Sequence, residues 1–254
     1  MNAADVARGK YVATIAGCMV CHGNDLAGGH EAKLPDGSGM WRASNITSDP
    51  IAGLGNWTDE QIVAAVRRGV RPDGAHLLPI MPYPYYHQLT DDDAHALVAY
   101  LRTVPAVARR VARSDASPSL KPLELEDPAG NVDTPALHGE YLANLMHCAA
   151  CHTPDNGRAF AGGRQFDKLV APNITSDRTT GIGGWTEDDI VRAVRTMTSP
   201  DNSKIEGPMA LYASAWSQLT DADAHALAAY IKSIPAIEHD VGQQHEQPEQ
   251  PGTH

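Results

Sequence analysis

The chain has 254 residues, a formal net charge of −11, 42% hydrophobic side chains and only 6% aromatic ones. That length suits one large domain or two of ordinary size, and the acidic balance excludes nucleic-acid binding by counterion release, which needs a basic surface. No run reaches the ~18 apolar residues of a membrane span, and Met1 leads into "NAADVARGKY" without the apolar stretch of a signal peptide.

A first helix is predicted to run into "AGCMVCHG", residues 16–23, where Cys18, Cys21 and His22 make a CxxCH motif. The pattern returns as Cys148, Cys151 and His152 in "MHCAACHT", using the remaining cysteines. A disulfide across two residues is tight, and a chain this long needs no staple. Zinc knuckles pair over a short interval and do not carry a histidine directly after each cysteine pair. Attachment of haem c fits the spacing: two thiols add to vinyl groups on one porphyrin edge, and the adjacent histidine is held under the ring to ligate iron. Two covalently bound haem c groups are expected, on Cys18 and Cys21 with His22, and on Cys148 and Cys151 with His152. A porphyrin in each core also accounts for the shortage of aromatic side chains. In bacteria this attachment is made outside the inner membrane, so the protein is expected to be periplasmic, its signal peptide removed.

After the first motif comes "SNITSDPIAGLGNWTDEQIVAAVR". Asn45 opens a glycosylation sequon, read here as a turn near the haem edge. Trp57 has two readings, a plain core residue or a haem contact whose N–H bonds a propionate. A second helix starts at Thr58, a plausible N-cap with Gln61 three residues on, and carries Ile62 and Val66 on its apolar face. Met81 follows in the proline-containing loop "LLPIMPYPYY". A third helix starts at Thr90, places Asp91, Asp92 and Asp93 in its first turn where carboxylates favour the helix dipole, and closes at Pro105. Residues 106–133, with three prolines and mixed charge, are expected to form an extended surface strap.

The whole unit is then repeated. "GKYVATIAGC" is answered by "GEYLANLMHC", the Asn45 block by "PNITSDRTTGIGGWTEDDIVRAVR", and "QLTDDDAHALVAYLRTVPAV" by "QLTDADAHALAAYIKSIPAI". Thr186 with Asp189, Ile190 with Val194, Thr220, Asp221, Asp223 and Pro235 take the corresponding roles. Gly9 and Gly139 on the first helices, with Tyr100 and Tyr230 on the last, predict a helix crossing at the glycine. The expected division is domain 1 over 1–105, the strap over 106–133, domain 2 over 134–237, and a polar, disordered tail over 238–254.

The sixth iron ligand decides the chemistry: methionine suits electron transfer and an open position permits catalysis. Met81 and Met209, the latter in "KIEGPMALYASAW", are the matched methionine pair. Met19 and Met146 lie too close to the motifs to reach the far face, and Met40 and Met197 lack partners. His76 and His87 flank Met81 without counterparts in the second copy, while His95 and His225 match but sit among polar helix residues. Met81 and Met209 are therefore the expected ligands, and Trp185, like Trp57, a possible haem contact.

With these residues in view, each half resembles a class I cytochrome c domain. More narrowly, "NITSDP…GNWTDEQIVAAVRRGVRPDGAHLLPIMPYPYYHQLTDDDAHALVAYL" is similar to the cytochrome c subunits of membrane-associated bacterial alcohol, gluconate and aldehyde dehydrogenases. The resemblance covers nearly the whole chain apart from linker and tail. It implies an all-α fold of two tandem class I cytochrome c domains, which duplication leads us to expect in pseudo-twofold arrangement. It also implies Cys18, Cys21, His22 and Met81 as one haem set and Cys148, Cys151, His152 and Met209 as the other. Such subunits typically carry three haems and this chain has two motifs, so a diheme carrier, or a subunit serving a molybdenum or quinone enzyme, is equally open. The expected function is transfer of single electrons without catalysis. The donor would be a periplasmic or membrane-bound dehydrogenase, the acceptor a downstream cytochrome or oxidase. The alternative is a diheme enzyme, a peroxidase or a thiosulfate-oxidising cytochrome, with one catalytic haem. The matched methionines and the lack of a spare cysteine weigh against it.

Overall fold

The computed structural model describes residues 2–117, 120–125, 135–154 and 157–242. Helix α1 (Ala3–Ile15) starts where the Asn2 side chain accepts from the Asp5 N–H at 2.8 Å, satisfying an otherwise orphaned donor. It stops at Gly17, in the left-handed region at φ 75°, and α2 (Cys18–His22) carries the first motif. A short antiparallel hairpin follows, β1 (Glu31–Lys33) with β2 (Met40–Arg42), in the register Glu31↔Arg42. Thr58 and Gln61 form the expected capping box at the start of α3 (Asp59–Arg68). Then come α4 (Tyr83–Tyr86) and α5 (Asp91–Thr103), the latter capped by Thr90.

The second half repeats this order: α6 (Pro135–Leu145), α7 (Cys148–His152), the hairpin β3 (Gln165–Phe166) with β4 (Leu169–Val170), and α8 (Glu187–Thr196) behind the Thr186–Asp189 capping box. A 3₁₀ turn (Gly207–Tyr212), α9 (Ala213–Trp216) and α10 (Asp221–Ser233) complete it. The architecture is helix-dominated, as expected. The hairpins were not anticipated: at two or three residues they are too short to carry an alternating pattern.

In each half the first and last long helices cross at the expected glycine. A Cβ on Gly9 would stand 1.8 Å from the Ala96 carbonyl oxygen, and one on Gly139 would stand 2.2 Å from that of Ala226 and 2.6 Å from the Tyr230 Cβ. Only glycine permits that approach. Val12, Ile15, Leu97 and Leu101 of the first half and Leu142, Leu145, Leu227 and Ile231 of the second are buried in one continuous core. Burying such a side chain contributes about 1.5–3 kcal/mol.

The halves meet in a reciprocal pair of hydrogen bonds. The Tyr11 hydroxyl donates to Asp223 at 2.5 Å, and its counterpart Tyr141 donates to Asp93 at 2.5 Å. Arg8 binds Asp93 through two nitrogens at 2.6 and 2.7 Å, and His138, in the matching place, approaches Asp223 at 2.7 Å. The same patch used by both sides is the mark of a twofold interface, here with sequence differences between the partners. Asp93 and Asp223 therefore do more than face the helix dipole.

Asn45 is buried: its Oδ1 accepts from the Thr47 N–H and hydroxyl, and its Nδ2 donates to the Val107 and Arg109 carbonyls. The sequon is thus a turn that grips the outgoing chain. Asn173 grips Ile237 alike, and His239 continues over Ala161 and Thr180. Further along, residue 115 runs beside the first hairpin, its N–H donating to the Met40 carbonyl at 2.8 Å, and the Leu123 N–H donates to the Tyr83 hydroxyl at 2.8 Å. Of the strap expected over 106–133, residues 118–119 and 126–133, and of the tail expected over 238–254, residues 243–254, lie outside the described residues.

Candidate functional site

Each CxxCH helix delivers its histidine to the same local trap. His22 is buried with its Nδ1 2.7 Å from the Ser44 carbonyl, and His152, half-buried, has its Nδ1 2.8 Å from the Pro172 carbonyl. A carbonyl only accepts, so each Nδ1 carries the proton and each Nε2 keeps its lone pair for a metal. Burial lowers both imidazoles below their ordinary pKa, outweighing the carbonyl contact, and holds them neutral.

The trap is built by a loop that returns over each motif. The Gly28 N–H donates to the His22 carbonyl at 2.8 Å and the Gly162 N–H to the His152 carbonyl at 2.7 Å. Leu26 and Phe160 precede these turns in left-handed conformations, φ 55° and 62°. A Cβ on Gly28 would meet the Ala43 carbonyl oxygen at 2.4 Å, and one on Gly162 the Pro172 carbonyl carbon at 2.4 Å. The glycines let the loop lie against the very segments whose carbonyls orient the histidines.

The four cysteines are not joined to one another. Burial, and then the neighbouring thiol of the same motif, pushes Cys18 and Cys148 up to about 12. Burial also raises Cys21 and Cys151.

The surroundings fit a porphyrin. In the second half a cavity of about 870 Å³ is lined by Cys148, Cys151, His152, Trp185 and Met209, with apolar walls from Ile182, Ile190, Val194 and Ile231. That is the size and character of a cofactor site. In the first half the Arg71 guanidinium lies 5.3 Å from the Trp57 ring centroid, and its buried Nε has no hydrogen-bond partner. The Asp73 carboxylate pairs with it at 3.8 Å, beyond hydrogen-bond reach. An orphaned buried guanidinium N–H beside Trp57 suits a carboxylate such as a haem propionate.

Met81 is half-buried in a turn stitched by its N–H to Leu78 and by the Tyr83 N–H to its carbonyl, just before Pro82 caps α4. Met209 sits in the 3₁₀ turn after Pro208 and lines the same cavity as His152. Among the rivals, His76, His95 and His225 are exposed, while His87 is half-buried with an unpartnered Nδ1. Met146 and Met197 are core residues. Sequence reading missed Arg71 and a group of rings between the motifs, His147, Tyr212, Tyr85 and Tyr86. A signal existed: His147 stands where the first copy has Gly17.

The cytochrome c family profile matches this chain twice, over residues 6–105 and 136–235. The chain is 36% identical over 269 residues to the alcohol dehydrogenase (quinone) cytochrome c subunit of Gluconobacter oxydans (strain 621H), covering 91% of this chain and 55% of that protein. It is 34% identical to the fructose dehydrogenase cytochrome subunit of Gluconobacter japonicus, over 91% of this chain and 53% of that one. It is 31% identical to a diheme cytochrome c-type protein of Cereibacter sphaeroides, over 92% and 87%. The chain thus spans about half the length of the dehydrogenase subunits it matches.

Proposed function

Since the chain belongs to the cytochrome c family over both of its halves, we propose that it carries single electrons between a periplasmic dehydrogenase and a downstream acceptor. It does so as a diheme carrier or as an electron-transfer subunit. The chain holds two haem c groups, one per domain. Bound in these sites, haem c supplies a one-electron iron couple.

The residues have assigned parts in this reading. Cys18 and Cys21, and Cys148 and Cys151, anchor the two groups through thioethers. His22 and His152 offer Nε2 to the irons, each held in tautomer and orientation by its backbone carbonyl. Met81 and Met209, stiffened by Pro82 and Pro208, would supply the second ligand to each iron. Trp57 and Trp185 flank the groups, and Arg71 takes a propionate of the first. The apolar walls exclude water, so little around the metal need rearrange when charge changes. The division into 1–105, 106–133, 134–237 and 238–254 belongs to the same proposal. The observation that carries it is the matched pair of His22 and His152, each pinned through Nδ1 to a backbone carbonyl.

Relatives named as dehydrogenase subunits support a dehydrogenase as donor, and the diheme relative, covered over 87% of its length, supports the carrier form. Among the described residues no helix is long and apolar enough to cross a membrane. The periplasmic location rests on where bacteria attach haem c. The test is optical spectroscopy of the haem-loaded protein, oxidised and reduced, with and without carbon monoxide. Two low-spin haems with the weak far-red band of methionine ligation and no response to carbon monoxide are expected. A haem that is high-spin or binds carbon monoxide readily would overturn the carrier reading in favour of a catalytic site.

A further inference from the structure

Between the two motifs lies a seam of rings that the proposed ligand sets leave unused. Tyr212 of the second half lies over Gly17 of the first, where an added Cβ would stand 2.5 Å from the Tyr212 Cε1. Glycine at that position admits the ring. Tyr212 stacks on Trp216 with centroids 4.8 Å apart and planes at 17°, and the Trp216 indole N–H donates to the Ile15 carbonyl at 3.1 Å. Both rings are thereby tied to the end of α1.

The place equivalent to Gly17 in the second half is held by His147, in the same left-handed backbone at φ 45°. Keeping a non-glycine residue there costs on the order of 1–3 kcal/mol and calls for a compensating role. His147 Nε2 is 3.0 Å from the Tyr212 hydroxyl, and its ring packs against Tyr85 and Tyr86 of the first half at 6.4 and 6.1 Å. Its other nitrogen is buried and unpartnered.

These rings touch both motifs. Tyr212, Trp216 and His147 line the second-half cavity together with Cys148 and Cys151. The Tyr86 hydroxyl donates to the Ala16 carbonyl at 2.6 Å, two residues before Cys18. Burial, and then the Cys21, Cys151 and Cys18 thiols, raises the Tyr212 phenol above its ordinary pKa. Tyr212 thus lies against the residue before Cys18 and lines the cavity of Cys148 and Cys151.

We propose that Tyr212 and His147 form the medium through which an electron passes between the two haem sites, an inference that rests on the two-haem reading above. A close-packed and hydrogen-bonded contact couples two centres better than a gap or solvent would. One iron is oxidised as the other is reduced; neither ring is itself oxidised and no proton is transferred. Both bridging side chains come from the second half, so the seam is asymmetric where the Tyr–Asp clamps around it are symmetric.

The experiment uses the haem-loaded full chain and the variants Tyr212→Leu and His147→Gly, the latter restoring the residue found in the first copy. Haem content, both midpoint potentials and the inter-haem electron-transfer rate after flash reduction are measured together. Both variants are expected to keep two haems and to slow transfer several-fold after correction for driving force. Independently, the His147 signal in ¹⁵N-histidine NMR should shift in both reduction steps, because the imidazole senses both irons. Unchanged rates in both variants with two haems in place, or a His147 signal that follows only one reduction step, overturn the bridge alone. A chain that binds a single haem overturns the two-haem reading and the bridge with it.

Discussion

Single side chains here are chosen by charge state as much as by shape. The proposed ligand set makes a pointed prediction in the first half, where Met81 and the half-buried His87 compete. Met81→Ala should lower the potential of one haem by a sizeable part of the ~0.8 V range that axial ligands span and abolish its far-red band, while His87→Ala should leave both in place. A redox titration in which His87→Ala moves the potential would reassign the ligand. His147 makes a second prediction. Burial pushes its imidazole down to about 4, while the unfolded chain titrates near the ordinary value of about 6.5. Between these values the unfolded state binds the extra proton, so stability is lost as pH falls from about 6.5 to 4. The loss amounts to about 3 kcal/mol. In urea unfolding, His147→Asn, which tolerates the left-handed backbone, should fall less steeply than the wild type over this window; equal slopes would mean that His147 is already protonated in the folded state.

At the scale of elements, the helices are set by caps and by one close approach per half. Thr58, Thr90, Thr186 and Thr220 each accept from the backbone N–H three residues on, as their sequence context indicates. The crossing of α1 with α5 and of α6 with α10 depends on absent side chains. Gly9→Ala and Gly139→Ala should each destabilise their half by about 1–3 kcal/mol, the usual cost of overpacking. Thermal unfolding measures this, and a melting temperature within error of the wild type would show that the helices can shift apart freely. The caps and the glycines were readable because each is a local rule acting within a turn or repeated in both copies. The hairpins β1–β2 and β3–β4 were not, because pairs so short are held by their surroundings: Arg42 and Met40 bond to Ser114 and Asp115 of the outgoing chain.

Across the whole molecule, the halves act as one body if the reciprocal clamps hold. Burial pushes the Asp223 carboxyl up, but the Tyr11 hydroxyl and His138 more than offset this and leave it below its ordinary range. The double variant Tyr11→Phe with Tyr141→Phe removes two hydrogen bonds to charged acceptors, each contributing about 1.5–3 kcal/mol. Calorimetry should then resolve two unfolding transitions where the wild type has one. A single transition at the original temperature would assign the cohesion of the halves to the apolar core around Ile15, Trp216 and Met146.

The sequence by itself determined the chemistry and the duplication. Two CxxCH motifs use every cysteine, and thioether attachment with a proximal histidine demands that spacing whatever fold surrounds it. Met81 and Met209, Thr58 and Thr186, and Gly9 and Gly139 stood out because the chain states each of them twice. What only the tertiary structure decided is how the copies face each other. Tyr11 and Asp223 are far apart in the chain and look like ordinary helix residues, as do Tyr141 and Asp93, and nothing local marks them as partners. His147 breaks the repeat and so carried no matched signal; its place against Tyr212, Tyr85 and Tyr86 arises only when the second half closes over Gly17. Contacts across a domain interface depend on packing between surfaces remote in sequence, and no local period or spacing encodes them.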